Sequence, residues 1–189
     1  MLTVSYLHIK IKLKAGLMES DADKDAIDLM LSSWATQHPE LDTRHLGTLG
    51  RILRISTHLR TMVDHWLVPF ELSWETFDLL ISLYRGGPTG MRPTELYGEC
   101  LLSSGAMTNR IDRAVKSGLT VRRRDPADGR AVRIALTTKG RHLIEKAMGV
   151  HFAQSREIAA SLSSAEQLSL SRLLRKLLRP LESYPGRID

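Results

Sequence analysis

A run of short polar side chains between residues 103 and 110 has the chemistry of a helix that reads DNA bases. Small residues in the first turn of such a helix let its backbone approach the groove, and the side chains that follow must donate and accept hydrogen bonds. Asparagine and arginine suit this role because they form bidentate pairs with adenine and guanine edges. The candidate contacts in this run are Ser103, Ser104, Gly105, Thr108, Asn109 and Arg110.

The same run also fits an ordinary capped amphipathic helix with no nucleic-acid partner. Met107, Ile111, Ala114 and Val115 recur at helical spacing and would pack inward in either case. The segment that follows favours DNA, because two alternating apolar stretches flank a charged loop and so predict a β-hairpin next to the helix.

The loop of that hairpin, residues 125–130 with sequence DPADGR, is rich in turn formers and carries a basic residue near its tip. Arg130 is suited to probing a minor groove, where a narrow A·T-rich site concentrates negative potential. Asp128 lies two residues earlier and would hold the Arg130 side chain in position. Further candidates for phosphate or base contacts are Arg92, Thr94, Arg113, Arg122 and Arg124.

Positive charge is concentrated in this part of the chain. Residues 103–133 contain eight arginine and lysine side chains and three aspartates, while the whole chain of 189 residues has a formal net charge of +6. A solvated surface without a partner would more often mix its signs. The distribution therefore favours a polyanionic partner.

Composition excludes several other classes. A single cysteine, Cys100, rules out a disulfide framework and a cysteine-rich zinc site, and no acid–histidine cluster has compact metal-ligand spacing. The sequence contains no P-loop, dinucleotide fingerprint, nucleophile elbow or zincin motif, so we predict neither an enzyme nor a bound cofactor. With no signal peptide pattern and no apolar run near the roughly 20 residues of a membrane span, we expect a cytoplasmic protein.

The elements that must position these side chains follow from hydrophobic periodicity. Two short helices joined by only a few residues have helix-turn-helix geometry, and the hairpin after them is the wing. The last helix opens with a capping box at Ser163 and is unusually rich in leucine. The predicted helices span residues 22–38, 44–66, 73–85, 93–101, 103–116, 138–159 and 163–182, with strands around 119–124 and 132–136.

This order predicts a mainly α fold with a small β-hairpin wing, in which a winged helix-turn-helix domain is joined to N- and C-terminal dimerisation helices. The predicted divisions are a flexible extension over 1–20, N-terminal helices over 21–68, a DNA-binding region over 69–136 and C-terminal dimerisation helices over 137–184. The N-terminal helices would contribute to dimerisation and to an effector cleft.

The stretch from Leu101 to Gly140, LLSSGAMTNRIDRAVKSGLTVRRRDPADGRAVRIALTTKG, resembles the MarR family of winged-helix regulators. The wing pattern Arg-Asp-Pro-x-Asp-x-Arg, followed by Val-x-Ile-x-Leu-Thr-x-x-Gly, is similar to that family's signature. The resemblance implies an obligate homodimer that binds a pseudo-palindromic operator, usually to repress. Two departures are Gly129, where an arginine is common, and Arg92, where a serine or threonine often precedes the proline; Arg92 would reach a phosphate instead.

The chain is most similar to the urate-responsive, PecS-like subgroup of that family, which has an extra N-terminal helix with a tryptophan. By that resemblance, an anionic or aromatic effector would bind at Trp34, Trp74, Asp78 and Arg110, or Arg113 in place of Arg110. It would displace an Asp–Arg pair and move the recognition helix. The alternative is that Trp34 packs in a core and Asp78 forms a structural ion pair.

Three other functions remain open at this point. Cys100 would make the chain a redox-responsive regulator, although a lone cysteine is more often a small buried residue. The chain would otherwise be a DNA-binding protein without a ligand response, or a protein-interaction module that uses its leucine-rich last helix.

Overall fold

The computed structural model describes residues 24–100 and 104–182. The extension predicted over 1–20 and the candidate DNA contact Ser103 lie outside these residues. A two-stranded antiparallel hairpin follows the fifth of the helices, which confirms the predicted fold class. The elements are α1 Ala26–Gln37, α2 Arg44–Leu67, a 3-10 turn Val68–Phe70, α3 Trp74–Arg85, α4 Pro93–Cys100, α5 Ser104–Lys116, β1 Thr120–Arg124, β2 Val132–Leu136, α6 Thr138–Ala159 and α7 Ser164–Glu182.

The described residues divide into two compact units, the first over 24–56 and the second over 57–100 and 104–182. In the first unit, α1 begins at a capping box in which the Asp25 side chain accepts hydrogen bonds from the backbone of Ile27 and Asp28. Arg51 on α2 donates to Asp25 at 2.8 Å and to Asp28 at 2.5 Å. These bonds fix the start of α1 against α2, four residues later than the periodicity of the sequence predicts.

Helix α3 is at the centre of the second unit because it is apolar on two faces. One face carries Phe77 and Leu80, which pack with Leu67 and Ile144 of the neighbouring helices. The other face packs into a second core, which consists of Leu79, Leu83, Leu96, Met107, Ile111, Ala114 and Ile134. Since α4, α5 and β2 all contribute to this second core, the helix-turn-helix and the wing both pack against α3.

Helix α5 and the wing, which consists of β1, β2 and the loop between them, are joined by a turn that needs glycine. Gly118 has a φ of 69°, which suits a residue without a Cβ. The hairpin register pairs Thr120 with Leu136 and Arg124 with Val132. Thr137 then caps α6 by accepting from the backbone of Gly140 at 3.0 Å. The sequence predicted the hairpin.

A short backbone pairing extends the wing beyond its two strands. Met91 donates to the carbonyl of Ile134 at 2.9 Å and accepts from its N–H at 2.8 Å. Gly90 precedes it with a φ of 75°, and a Cβ at this position would lie 2.2 Å from the Ile134 carbonyl oxygen. This pairing ties the segment before α4 to β2, and no pattern in the sequence predicted it.

Helix α7 presents an uncovered apolar stripe. Among the residues that the structure describes, none in α7 is buried. Six leucines at helical spacing form one face, which we call the leucine stripe, while Leu168 lies on the opposite side. The leucine stripe consists of Leu170, Leu173, Leu174, Leu177, Leu178 and Leu181. Within residues 24–100 and 104–182, no helix has the length and apolarity needed to cross a bilayer.

Candidate nucleic-acid interface

The outer face of α5 carries the polar residues that the sequence predicts as base and phosphate contacts. Gly105, Thr108, Asn109 and Arg113 are exposed, and all four lie opposite the buried Met107 face of the helix. The backbone of Ser104 begins the helix. This arrangement gives α5 an exposed polar surface, including its N-terminal turn, that could enter a DNA groove.

Arg110 differs from its neighbours because it points into the protein. Its side chain is 8% exposed and donates to the Asp78 carboxylate on α3 at 3.0 Å. The prediction gave Arg110 two roles, as a DNA contact and as an effector contact. In this conformation the guanidinium faces α3 rather than the groove side of α5, so direct base contact does not fit its placement.

The wing tip is an exposed turn with a fixed backbone. The Asp128 carboxylate accepts from the backbone N–H of Arg130 at 3.0 Å, so Asp128 orders the main chain. The prediction that it holds the Arg130 side chain was wrong in this detail, because an Asx-type turn satisfies the carboxylate locally. The Arg130 side chain is exposed at the tip, where it is positioned to reach a groove.

The hairpin arginines are less equivalent than their spacing suggests. Arg122 donates to Asp112 of α5 at 2.6 Å, and both side chains are about half exposed. Arg123 and Arg124 are exposed as well. A surface pair of this kind contributes little to stability, and Asp112 lowers the charge that Arg122 presents to a phosphate.

Arg92, at the start of α4, belongs to an ion-pair cluster under the wing. Its Nε donates to Asp125 at 2.7 Å, and Arg133 donates to the same carboxylate at 3.1 Å. The Asp125 side chain is 1% exposed. The backbone N–H of Ala127 and the two arginines hold the pKa of Asp125 well below its usual range. Thr94 is exposed beside this cluster on α4.

The predicted effector residues fall into separate groups. Asp78 and Arg110 are bonded, and Trp74 lies half-buried at the start of α3, with its ring 6.0 Å from that of Phe77. Trp34 is 37% exposed in the first unit, where its ring is 5.4 Å from that of His38. The predicted meeting of Trp34 with Asp78 therefore stays a prediction.

Sequence reasoning missed an arginine next to the predicted effector residues. The Arg60 guanidinium lies 5.4 Å from the centre of the Trp74 ring and pairs with Glu75. The Glu75 pKa is lowered mainly by its backbone hydrogen bond at the start of α3, with smaller contributions from Arg60 and Arg110. Arg60 is fifteen residues from Glu75, so no local spacing identifies the pair.

Cys100 has the environment of an unreactive thiol. Its Sγ lies 3.9 Å from the Ser82 hydroxyl. Burial, followed by the negative charge of Asp78, raises the pKa of Cys100 to about 11. Because the thiolate is the reactive form of cysteine, this placement disfavours the predicted redox alternative. No group of three or more potential metal ligands occurs among the described residues.

Comparisons with known proteins agree with this geometry. The sequence profile that describes the MarR family matches residues 70–131. The chain is 28% identical over 153 residues to the HTH-type transcriptional regulator PecS of Dickeya dadantii, covering 80% of this chain and 92% of PecS. It is 33% identical over 123 residues to the uncharacterised HTH-type transcriptional regulator YkoM of Bacillus subtilis, covering 65% of this chain and 75% of YkoM.

The fold is also that of a solved protein–DNA complex. A crystal structure of mutant MarR from Escherichia coli, complexed with operator DNA, superimposes with a TM-score of 0.62 at 26% identity. The match covers 77% of this chain and 97% of that protein.

Proposed function

Because the chain belongs to the MarR family of transcriptional regulators, we propose that it is a homodimeric repressor whose affinity for a pseudo-palindromic operator is lowered by a small anionic or aromatic effector. The family makes it a DNA-binding regulator and not an enzyme. Since its partner is operator DNA, we place the protein in the cytoplasm.

The observation that carries the DNA-binding proposal is the pairing of an exposed polar α5 face with an exposed wing arginine. Thr108 and Asn109 are proposed to contact bases in the major groove, and Arg130 is proposed to enter the adjacent minor groove. The proposed phosphate contacts around this surface are Arg92, Thr94, Gly105, Arg113 and Arg124. Ser103 and Ser104, which precede Gly105 in the sequence, complete the proposed set on sequence grounds.

The leucine stripe of α7 supports the homodimer. Six leucines on one helix face are all exposed in a single chain, and an extended apolar patch of this kind is typical of a protein–protein interface. A second copy of the chain, related by a two-fold axis, would cover the stripe with its own. Residues 21–68 and 137–184 are proposed as the dimerising segments, around the DNA-binding region at 69–136.

The Asp78–Arg110 bond supports the effector response. It joins α3 to the proposed recognition helix α5, and Arg110 is the positively charged partner of this ion pair. An anion that took the place of Asp78 would change how α5 is held. Trp74 offers an aromatic surface one turn away, which favours a ligand that is both anionic and aromatic.

Binding of labelled DNA from upstream of the chain's own gene tests the proposal. At fixed salt, Arg130→Ala is expected to weaken binding by about 1–3 kcal/mol, as for a specific DNA contact. Arg123→Ala, on the same hairpin, is the matched control and should cost less. Equal effects of the two variants would refute the wing assignment.

The effector is tested with the same assay in the presence of aromatic acids and purines. A true effector should release DNA from the unmodified chain and act less well on Asp78→Asn, in which an uncharged amide has already replaced the carboxylate of the ion pair. If no compound in the panel changes binding, the effector part of the proposal fails while the DNA-binding part stands.

A further inference from the structure

The base of the wing contains an acid where a DNA-binding surface would be expected to have none. Asp125 follows three consecutive arginines, and its side chain is 1% exposed. A buried carboxylate needs hydrogen-bond donors to offset the loss of water. Asp125 has three of them, which come from the wing turn, from β2 and from the segment before α4.

The three donors divide between the two oxygens of the carboxylate. Oδ1 accepts from the backbone N–H of Ala127 at 2.9 Å. Oδ2 accepts from Arg92 Nε at 2.7 Å and from Arg133 Nη1 at 3.1 Å. One oxygen therefore shapes the turn of the wing, and the other one orients two arginines.

The two arginines differ in how much of the guanidinium group is exposed and able to bind an anion. Arg133 is 20% exposed and also donates from Nε and Nη2 to the Gly90 carbonyl, so it is committed to the interior. Arg92 is 40% exposed. Asp125 holds it through Nε, which directs the outer edge of its guanidinium toward solvent at the start of α4.

The backbone of Arg92 is fixed as well. Its N–H donates to Glu95 Oε2 at 2.7 Å, and Pro93 begins α4 directly after it. A guanidinium whose main chain and inner edge are both held loses little side-chain entropy when its outer edge binds an anion. This is the geometry of an oriented phosphate contact.

We propose that Asp125 is a positioning residue for DNA binding, which holds Arg92 so that its outer guanidinium edge binds a backbone phosphate next to the wing. Asp125 itself touches no DNA. The inference rests on the proposed assignment of this surface to DNA. It goes beyond that assignment by giving an acidic residue a favourable role in binding a polyanion.

The sign of one substitution separates this inference from simple electrostatics. Removal of a carboxylate from a basic surface should strengthen DNA binding, because the net positive charge rises. If Asp125 positions Arg92, its removal should weaken binding. Asp125→Asn is suitable because its amide oxygen can still accept the hydrogen bond from the backbone of Ala127. The amide NH₂ then faces Arg92 and Arg133, which are also donors, so the bonds to both arginines are lost.

The experiment measures operator affinity as a function of salt for Asp125→Asn and for the control Asp112→Asn, which neutralises an exposed acid on the same surface. We expect Asp125→Asn to bind roughly tenfold more weakly at fixed salt, as for loss of one charge-assisted hydrogen bond. Its salt slope should fall by about one. Asp112→Asn should bind as well as the unmodified chain or better.

A second pair of variants tests whether the effect passes through Arg92. In an Arg92→Gln background, Asp125→Asn should add little further loss. Arg92→Lys keeps the charge but has no Nε–H, so it should lose nearly as much as Arg92→Gln. This variant leaves Asp125 in place, so it tests the inference even if Asp125→Asn fails to fold.

The inference is overturned if Asp125→Asn binds as tightly as Asp112→Asn, if its cost is unchanged in the Arg92→Gln background, or if Arg92→Lys binds like the unmodified chain. Failure of the proposed interface has a different signature. In that case both Arg92→Gln and Arg130→Ala would leave operator binding unchanged.

Discussion

Asp78→Asn removes the carboxylate from an arginine that is almost completely buried. Arg110 is 8% exposed, and Asp78 is 24% exposed and bonded to it at 3.0 Å. Breaking a buried ion pair by removing one partner typically costs roughly 3–5 kcal/mol, because the other charge stays buried. Water reaches Asp78 and an amide oxygen still accepts a bond, so we expect the free energy of unfolding to fall by about 2 kcal/mol.

Urea denaturation followed by circular dichroism measures this loss. Protein concentration must be the same for every variant, because association of chains adds to the apparent stability. The slope of the transition should stay unchanged if the variant alters stability alone. Asp112→Asn is the control, since it breaks a half-exposed pair with Arg122 and should cost about 1 kcal/mol or less.

A double-mutant cycle identifies the source of the loss. In an Arg110→Met background no buried charge is left behind, so Asp78→Asn should then cost less than about 0.5 kcal/mol. The reasoning is refuted if Asp78→Asn costs no more than Asp112→Asn, or if its cost is the same with and without Arg110.

Three further predictions concern other parts of the molecule. Leu177→Glu should make the chain monomeric at micromolar concentration, as measured by light scattering. Leu168→Glu, which lies off the leucine stripe, should leave it dimeric. If both variants are dimers, the leucine stripe is not the interface. His151 packs against aromatic rings and burial lowers its pKa, so below about pH 6.5 the unfolded chain binds the proton first. Unfolding free energy should therefore fall between pH 7.5 and 5 by more than in His151→Phe, and parallel curves would contradict this. Gly90→Ala should lose more than about 1 kcal/mol in thermal denaturation, because its Cβ would meet the Ile134 carbonyl oxygen; an unchanged melting temperature would refute that reading.

The elements of the fold were predictable because their signals are local. Alternating residues around a turn-rich loop predicted the wing, and hydrophobic periodicity predicted helices over 73–85 and 138–159, which the structure places at Trp74–Arg85 and Thr138–Ala159. The inward direction of Arg110 also had a local signal. It lies three residues after Met107 and four before Ala114, both of them buried, and this spacing places all three on one helix face.

The contacts that connect these elements had no such signal. Arg92 and Asp125 are 33 residues apart, and Met91 pairs with Ile134 through a single backbone bridge. Neither spacing nor composition specifies which charged residues meet when α3 gathers α4, α5 and β2 around one core. The sequence therefore indicated which residues are available for DNA, but not which arginines are oriented and which are held inside.

In the proposed homodimer, the leucine stripe would make DNA binding depend steeply on the concentration of the protein in the cell. If only a paired chain covers Leu174 and its neighbours, the population of the paired form at low concentration rises with the square of the total concentration. Occupancy of the operator would follow that steeper law. Dilution of the chain at cell division, or a small change in its synthesis, would then change transcription more than proportionally.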